Sequence, residues 1–264
     1  MKQRWLQLKF ICEYAKHLHL YDVPPLELIF KFINELDKKD VKKIFSKFNK
    51  TQTATKVFKA DTAVLDKLKT DTFVPGTLGF EFQSWLKNSE GAVDLFKFGY
   101  EGKDTTKVGK FFKQAVMQHD LIHFLNGYDT NPMSEVGVLS FNLAKEWRES
   151  YATILYSSFL MSIRNTFMPS KYPSNMPWYK AIKYSAAFVF CRVVIEGWRR
   201  GKRAPWFMDV DWDKYLDVDL QQVKKELQLE DPPKYWTKIQ PMWRRVLLQY
   251  KRYARKHGAT TNRS

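Results

Sequence analysis

The 264-residue sequence has only two cysteines, Cys12 and Cys191, set far apart. That excludes a disulfide framework and a zinc site built on paired cysteines, and isolated reduced thiols fit a cytosolic compartment. Acids are scarce beside bases, with 28 Asp+Glu against 44 Lys+Arg, which leaves a net charge of +16. No Gly-rich phosphate loop and no internal repeat is visible. No apolar run approaches the roughly 20 residues that a membrane-spanning helix needs. At the N-terminus Glu13, Lys16 and His17 interrupt the apolar residues, so the core of a signal peptide does not form. These absences point to a soluble or peripheral protein. Strand signals are also few.

What the chain does have is apolar and aromatic bulk: 44% hydrophobic and 16% aromatic residues, enough for a sizeable core and against disorder. The expected fold class is all-α, a single helical domain with a helical hairpin at its centre and an added N-terminal helical layer. The expected segments are 1–70 as that extension, 71–232 as the core, and 233–264 as a basic C-terminal helix and tail. Leu26, Ile29, Phe30, Ile33 and Leu36 recur at helical spacing after Pro24-Pro25, and Asp40 can cap a second short helix. Asp104 or Thr105 is expected to cap a later helix. From Pro132 one long apolar helix is expected to run to Phe167. Another is expected from Trp178 to Arg200, with Gly201 as its cap and a Pro- and Ser-rich loop, 170–177, before it. Asp217 or Asp219 can cap a helix reaching Leu229.

The chemistry concentrates between His119 and Glu135. His119 and His123 are four apart and so share one helix face. Asp120 lies beside that face. Gly127 suits a helix C-cap, Asn131 an N-cap and Pro132 a first helical position. The resulting hairpin would carry Glu135 back towards the two imidazoles. Two neutral nitrogens and one or two carboxylates from facing helices suit a divalent metal. The flanks Ala115, Val116, Leu121, Ile122 and Leu125 are apolar, and burying these groups there without a shared partner would be costly. The zinc-protease pattern differs, because it places Glu directly after the first His.

His-Asp-x-x-His, eleven residues and then Glu resembles the signature of the coenzyme Q (ubiquinone) biosynthesis family Coq-four. Two more stretches are similar to that family: Pro75-Gly76-Thr77-Leu78-Gly79-Phe80-Glu81-Phe82 upstream, and Glu196-Gly197-Trp198-Arg199-Arg200-Gly201-Lys202-Arg203-Ala204-Pro205 downstream. The resemblance spans about residues 70 to 232. One departure is Ser134, where the family usually has Gly. The resemblance implies oxidative decarboxylation of a prenylated, 4-hydroxybenzoate-derived ring, with one divalent ion held by His119, His123 and Glu135. Iron suits an oxidation; zinc fits the ligands but acts only as a Lewis acid. Asp120 is then either a fourth ligand or an acceptor that orients an imidazole. The family is equally described as a scaffold of the quinone-synthesis complex, so a non-catalytic prenyl-lipid-binding role stays open.

Partners follow from charge and resemblance together. A prenylated quinone precursor, other quinone-biosynthesis proteins and a homodimer are expected. The basic balance favours an anionic membrane surface, placing the chain in the cytoplasm against the inner face of a membrane. Nucleic acid is the weaker reading, since no recognised binding motif accompanies the basic tail between Trp243 and Lys256. Arg203, with Lys202, is a candidate for gripping an anionic substrate end through its planar fork. The competing role for Arg203 is a loop-fixing pair with Asp209 or Asp211.

Overall fold

Apolar spacing and turn chemistry set the helices of the computed structural model, which describes residues 2–19, 38–60, 64–88, 106–129, 132–166 and 185–232. The regular structure in them is helical, the all-α class expected, and only one isolated bridge, Thr77 to Asp219, interrupts that pattern. The helices are α1 Lys2–His19, α2 Lys38–Phe48, α3 Gln52–Lys59, α4 Val64–Thr70, α5 Leu78–Asn88, α6 Lys107–Asn126, α7 Pro132–Leu143, α8 Glu149–Thr166, α9 Ala186–Arg203 and α10 Leu220–Glu226. Two 3-10 turns, Phe207–Asp209 and Trp212–Tyr215, lie between α9 and α10. The chain gathers into two compact units: unit 1 holds residues 1–40, 147–196 and 233–264, and unit 2 holds 41–146 and 197–232.

Unit 2 is built on an aromatic core. Ile44, Phe48, Ala54, Phe111 and Met208 are buried together, with Phe45 and Phe58 packed against them. Phe45 meets Phe111 edge-to-face at 5.2 Å, the geometry that ring quadrupoles favour. The start of α5 is tied to the start of α10 by backbone bonds, Leu78 N–H to Val218 C=O at 2.9 Å and Leu220 N–H to Gly76 C=O at 3.0 Å. Gly197 and Gly201 of α9 lie against the carbonyls of Gly137 and Phe141 in α7, and a Cβ at either glycine would collide with backbone. That contact explains why Gly201 sits inside a helix that continues to Arg203, rather than capping one at Arg200.

Unit 1 pairs α1 with α8. Gln7 Nε2 donates to Glu149 Oε2 at 2.5 Å, and Phe10 is buried. Asp40 sits in the first turn of α2 rather than at its cap, and its Oδ2 accepts from the Glu149 N–H at 3.1 Å, so it caps α8 instead. The expected helix from Pro132 to Phe167 is therefore two helices, broken at 144–148. Unit 1 also leaves apolar side chains exposed, with Trp5 62%, Leu8 60% and Ile195 57% accessible. It holds 22 of the 44 Lys+Arg but only 8 of the 28 Asp+Glu, a net of +14; unit 2 nets +2.

Other corrections are small. Thr106, not Asp104 or Thr105, caps α6 by accepting from Gly109 N–H. Asp219 rather than Asp217 caps α10, which ends at Glu226 instead of Leu229. The helix expected at 26–36, Asn131, the loop at 170–177 and the basic tail lie outside the described residues.

Candidate metal centre

The hairpin of α6 and α7 makes the site, and a glycine makes the hairpin. Gly127 ends α6 at φ +64, a conformation that most side chains resist, and a Cβ there would strike Pro232. The chain then folds back so that Tyr128 N–H donates to His123 C=O at 2.8 Å. Pro132 opens α7 as its first residue, and Glu135 stands in that helix's first turn. Ser134, the departure from the family pattern, is fully buried in α7.

Three of the expected residues converge. The ligand atoms of His119, His123 and Glu135 all lie within 4.8 Å of one another. Glu135 spreads its two oxygens between the rings, with Oε1 3.1 Å from His123 Nε2 and Oε2 3.4 Å from His119 Nε2. The two Nε2 atoms are 3.3 Å apart. His123 is buried, whereas the Glu135 side chain is 38% exposed and the His119 side chain 22%. The centre therefore has one shielded wall and one open side.

Proton bookkeeping decides what this geometry can accept. His123 Nδ1 lies 3.1 Å from the Asp129 carbonyl oxygen, which can only accept, so Nδ1 carries the hydrogen. Its Nε2 then presents a lone pair towards His119 Nε2 and Glu135 Oε1. Lone pairs at these distances repel unless a proton or a cation lies among them. Burial alone would lower His123, yet Glu135 and the backbone bonds at Asp129 and Tyr128 raise it above its ordinary value. Burial works upward on Glu135, but the two imidazoles outweigh it and hold the carboxyl well below the usual range. The donor set thus fits a divalent cation, which would replace the shared protons.

Asp120 stands apart from the convergent three. It is 1% exposed and its Oδ2 has no hydrogen-bond partner. Burial first, and then Glu135, push its carboxyl up to about 7 against the opposing pull of His119. An orphaned buried oxygen beside three ligand atoms marks a site where a charge of opposite sign is wanted. Lys202 and Arg203 lie elsewhere in unit 2. Arg203 pairs with Glu230, neither of the acids expected; Lys56 engages Asp211 instead, and the Asp209 carbonyl accepts from Thr53. Lys202 Nζ sits 5.3 Å from the Trp198 ring centre.

Sequence reading missed the aromatic wall. Trp85 lies nearly parallel to His123 at 6.4 Å, backed by Phe82 at 5.9 Å and Phe124 at 6.1 Å. Its spacing on α5 reads as an ordinary apolar face, and only the hairpin's position shows that it borders the histidines.

Fold and site together define a helical protein with a centre of two histidines and one carboxylate on a helical hairpin. The chain belongs to the family described as Coenzyme Q (ubiquinone) biosynthesis protein Coq4, whose model matches residues 40–233, and membership implies a role in ubiquinone biosynthesis. Its fold is similar to a crystal structure from Nostoc punctiforme PCC 73102 of a protein provisionally named for ubiquinone biosynthesis. The TM-score is 0.55 at 18% identity, covering 86% of this chain and 96% of that one. No curated protein matches the chain.

Proposed function

We propose that the chain is a metal-dependent enzyme that replaces the carboxylate of a prenylated, 4-hydroxybenzoate-derived ring with a hydroxyl group. The change breaks the bond between ring and carboxyl carbon, forms a ring C–O bond with an oxygen from water and releases carbon dioxide; the two electrons removed go to an oxidant, which we take to be dioxygen leaving as hydrogen peroxide. The observation that carries this reading is the convergence of His119, His123 and Glu135 within 4.8 Å. Those three residues would hold one divalent ion, iron or zinc. When bound, iron supplies redox chemistry and zinc only Lewis acidity. The Asp129 carbonyl fixes the His123 tautomer, Trp85 shields that ring, and buried Asp120 offsets the cation's charge. Lys202 and Arg203 are the grip for an anionic substrate end, with Glu230 as the group a ligand would displace. The test is single-turnover incubation of the iron-loaded and the zinc-loaded protein with a short-chain prenylated substrate. Carbon dioxide release with ring hydroxylation in the iron form supports the reading; neither product in either form contradicts it.

A second reading, a prenyl-lipid-binding scaffold, draws on unit 1. Its net charge of +14 and its exposed Trp5, Leu8 and Ile195 suit peripheral attachment to an anionic membrane from the cytoplasmic side. No described helix is long and apolar enough to cross a membrane. Other quinone-biosynthesis proteins and a second copy of the chain are the partners such a scaffold would gather. Retention of prenyl lipid and vesicle binding in a catalytically silent protein would favour it.

A further inference from the structure

A second polar cluster in unit 2 has no part in the hairpin site. Lys47 on α2, Lys145 in the turn after α7 and Lys202 on α9 come from distant stretches of sequence and meet at one place. Lys145 Nζ donates to the Lys202 carbonyl at 3.1 Å. Lys47 Nζ stands 3.8 Å from the Trp206 ring centre, and Trp206 Nε1 donates to Glu146 Oε2 at 2.9 Å. Lys202 Nζ lies over Trp198. Burial first, then the ammonium groups of Lys202 and Lys47, push Lys145 below its ordinary value.

Three like charges held together cost free energy, and no carboxylate among the described residues forms an ion pair with any of the three. Unit 2 is otherwise close to neutral, so this is not the local reflection of a generally basic surface. Glu146 is the nearby acid; it is buried, and one of its oxygens is engaged by the Trp206 indole. Lysines give point charges on mobile stems, suited to a tetrahedral oxyanion approached from several directions rather than to a planar carboxylate. The flanking indoles of Trp198 and Trp206 would lie against apolar groups attached to that anion.

We infer that Lys47, Lys145 and Lys202 form a binding site for a phosphate group carried by a lipid or a small phosphorylated molecule. The inference rests on the proposed reading in expecting an anionic amphiphile and shares Lys202 with the substrate grip of that reading, but its test involves neither metal nor turnover. The shared chemistry is the phosphate; the source is what the arms of the experiment separate.

The test is amine labelling of the full chain below saturation, with each lysine quantified by peptide mass spectrometry. Labelling is done alone, with inorganic pyrophosphate, with duplex DNA, with phosphatidylglycerol vesicles and with phosphatidylcholine vesicles. Lys42, Lys59 and Lys87, exposed lysines of unit 2 outside the cluster, are the controls. Selective protection of Lys47, Lys145 and Lys202 by pyrophosphate supports the site and a soluble phosphate source. Selective protection by phosphatidylglycerol vesicles alone supports the site and a headgroup source. Equal protection of the controls, protection by no phosphate-bearing probe, or selective protection by duplex DNA alone would overturn it. Lys145→Gln should weaken the protecting probe about tenfold, the loss of one charge-assisted contact. Unchanged affinity in that variant, with its fold intact by circular dichroism, would equally overturn the assignment.

Discussion

Unit 1 and unit 2 carry the same number of basic residues and differ almost wholly in their acids, 8 against 20. In unit 2 the acids are put to use: Glu135 between two histidines, Asp66 with Lys113, Asp213 with Lys67, Asp231 with Lys224. Unit 1 has 14 more basic than acidic residues, and its described part exposes Trp5 and Leu8. The family match covers all of unit 2 but omits the first 39 residues and the last 31. Under the proposed reading the difference separates two jobs. Unit 2 fixes a small number of groups in space, while unit 1 offers a diffuse charge that acts at long range and is screened by salt.

The sharpest way to break this division is His119→Ala with His123→Ala. Stoichiometric metal binding should vanish while vesicle binding stays unchanged; full metal retention by elemental analysis would end the assignment. Next is Gly197→Ala, whose Cβ meets backbone that cannot move aside. It should cost about 1–3 kcal/mol or more, read as a lowered denaturation midpoint. Asp120→Asn should reduce metal affinity about 10- to 100-fold in competition with a chelator, and an unchanged affinity would remove Asp120 from the account.

On the unit 1 side, Arg4→Gln with Lys9→Gln should weaken binding to anionic vesicles by about 2 kcal/mol, roughly thirtyfold. Equal binding to neutral vesicles would show that apolar insertion dominates. The smallest effect belongs to Lys145→Gln. The folded pKa of Lys145 is depressed below 10.5, so between the two values the unfolded chain holds more protons and stability rises with pH. The variant should lose that rise, a change within about 0.5 kcal/mol in denaturation curves taken at increasing alkaline pH.

Legibility in the sequence followed the range of the interaction. The α6–α7 hairpin was readable because its determinants are local: a four-residue His spacing, Gly127 at positive φ, and Pro132 at the first turn. The break at 144–148 was not, since Ala144-Lys145-Glu146-Trp147-Arg148 contains no helix-breaking residue. Within unit 1 the new start at Glu149 is capped from Asp40, and within unit 2 Glu146 and Lys145 are claimed by Trp206 and the Lys202 carbonyl. Gly201 misled for the same reason. Glycine at a helix end and glycine under a crossing helix look alike until the neighbouring Phe141 carbonyl is placed. Of the site, the three convergent residues were legible. The Asp129 carbonyl and Trp85 were not, because a backbone acceptor leaves no mark in the sequence and an aromatic on a helix reads as core.

X-ray absorption on protein loaded with one equivalent of iron or zinc tests the central claim most directly. The account predicts a first shell of nitrogen and oxygen only, with the multiple-scattering signature of two imidazoles in the wild type and its loss in the His119→Ala, His123→Ala protein. A shell without imidazole scattering, or one unchanged by the double substitution, would contradict it.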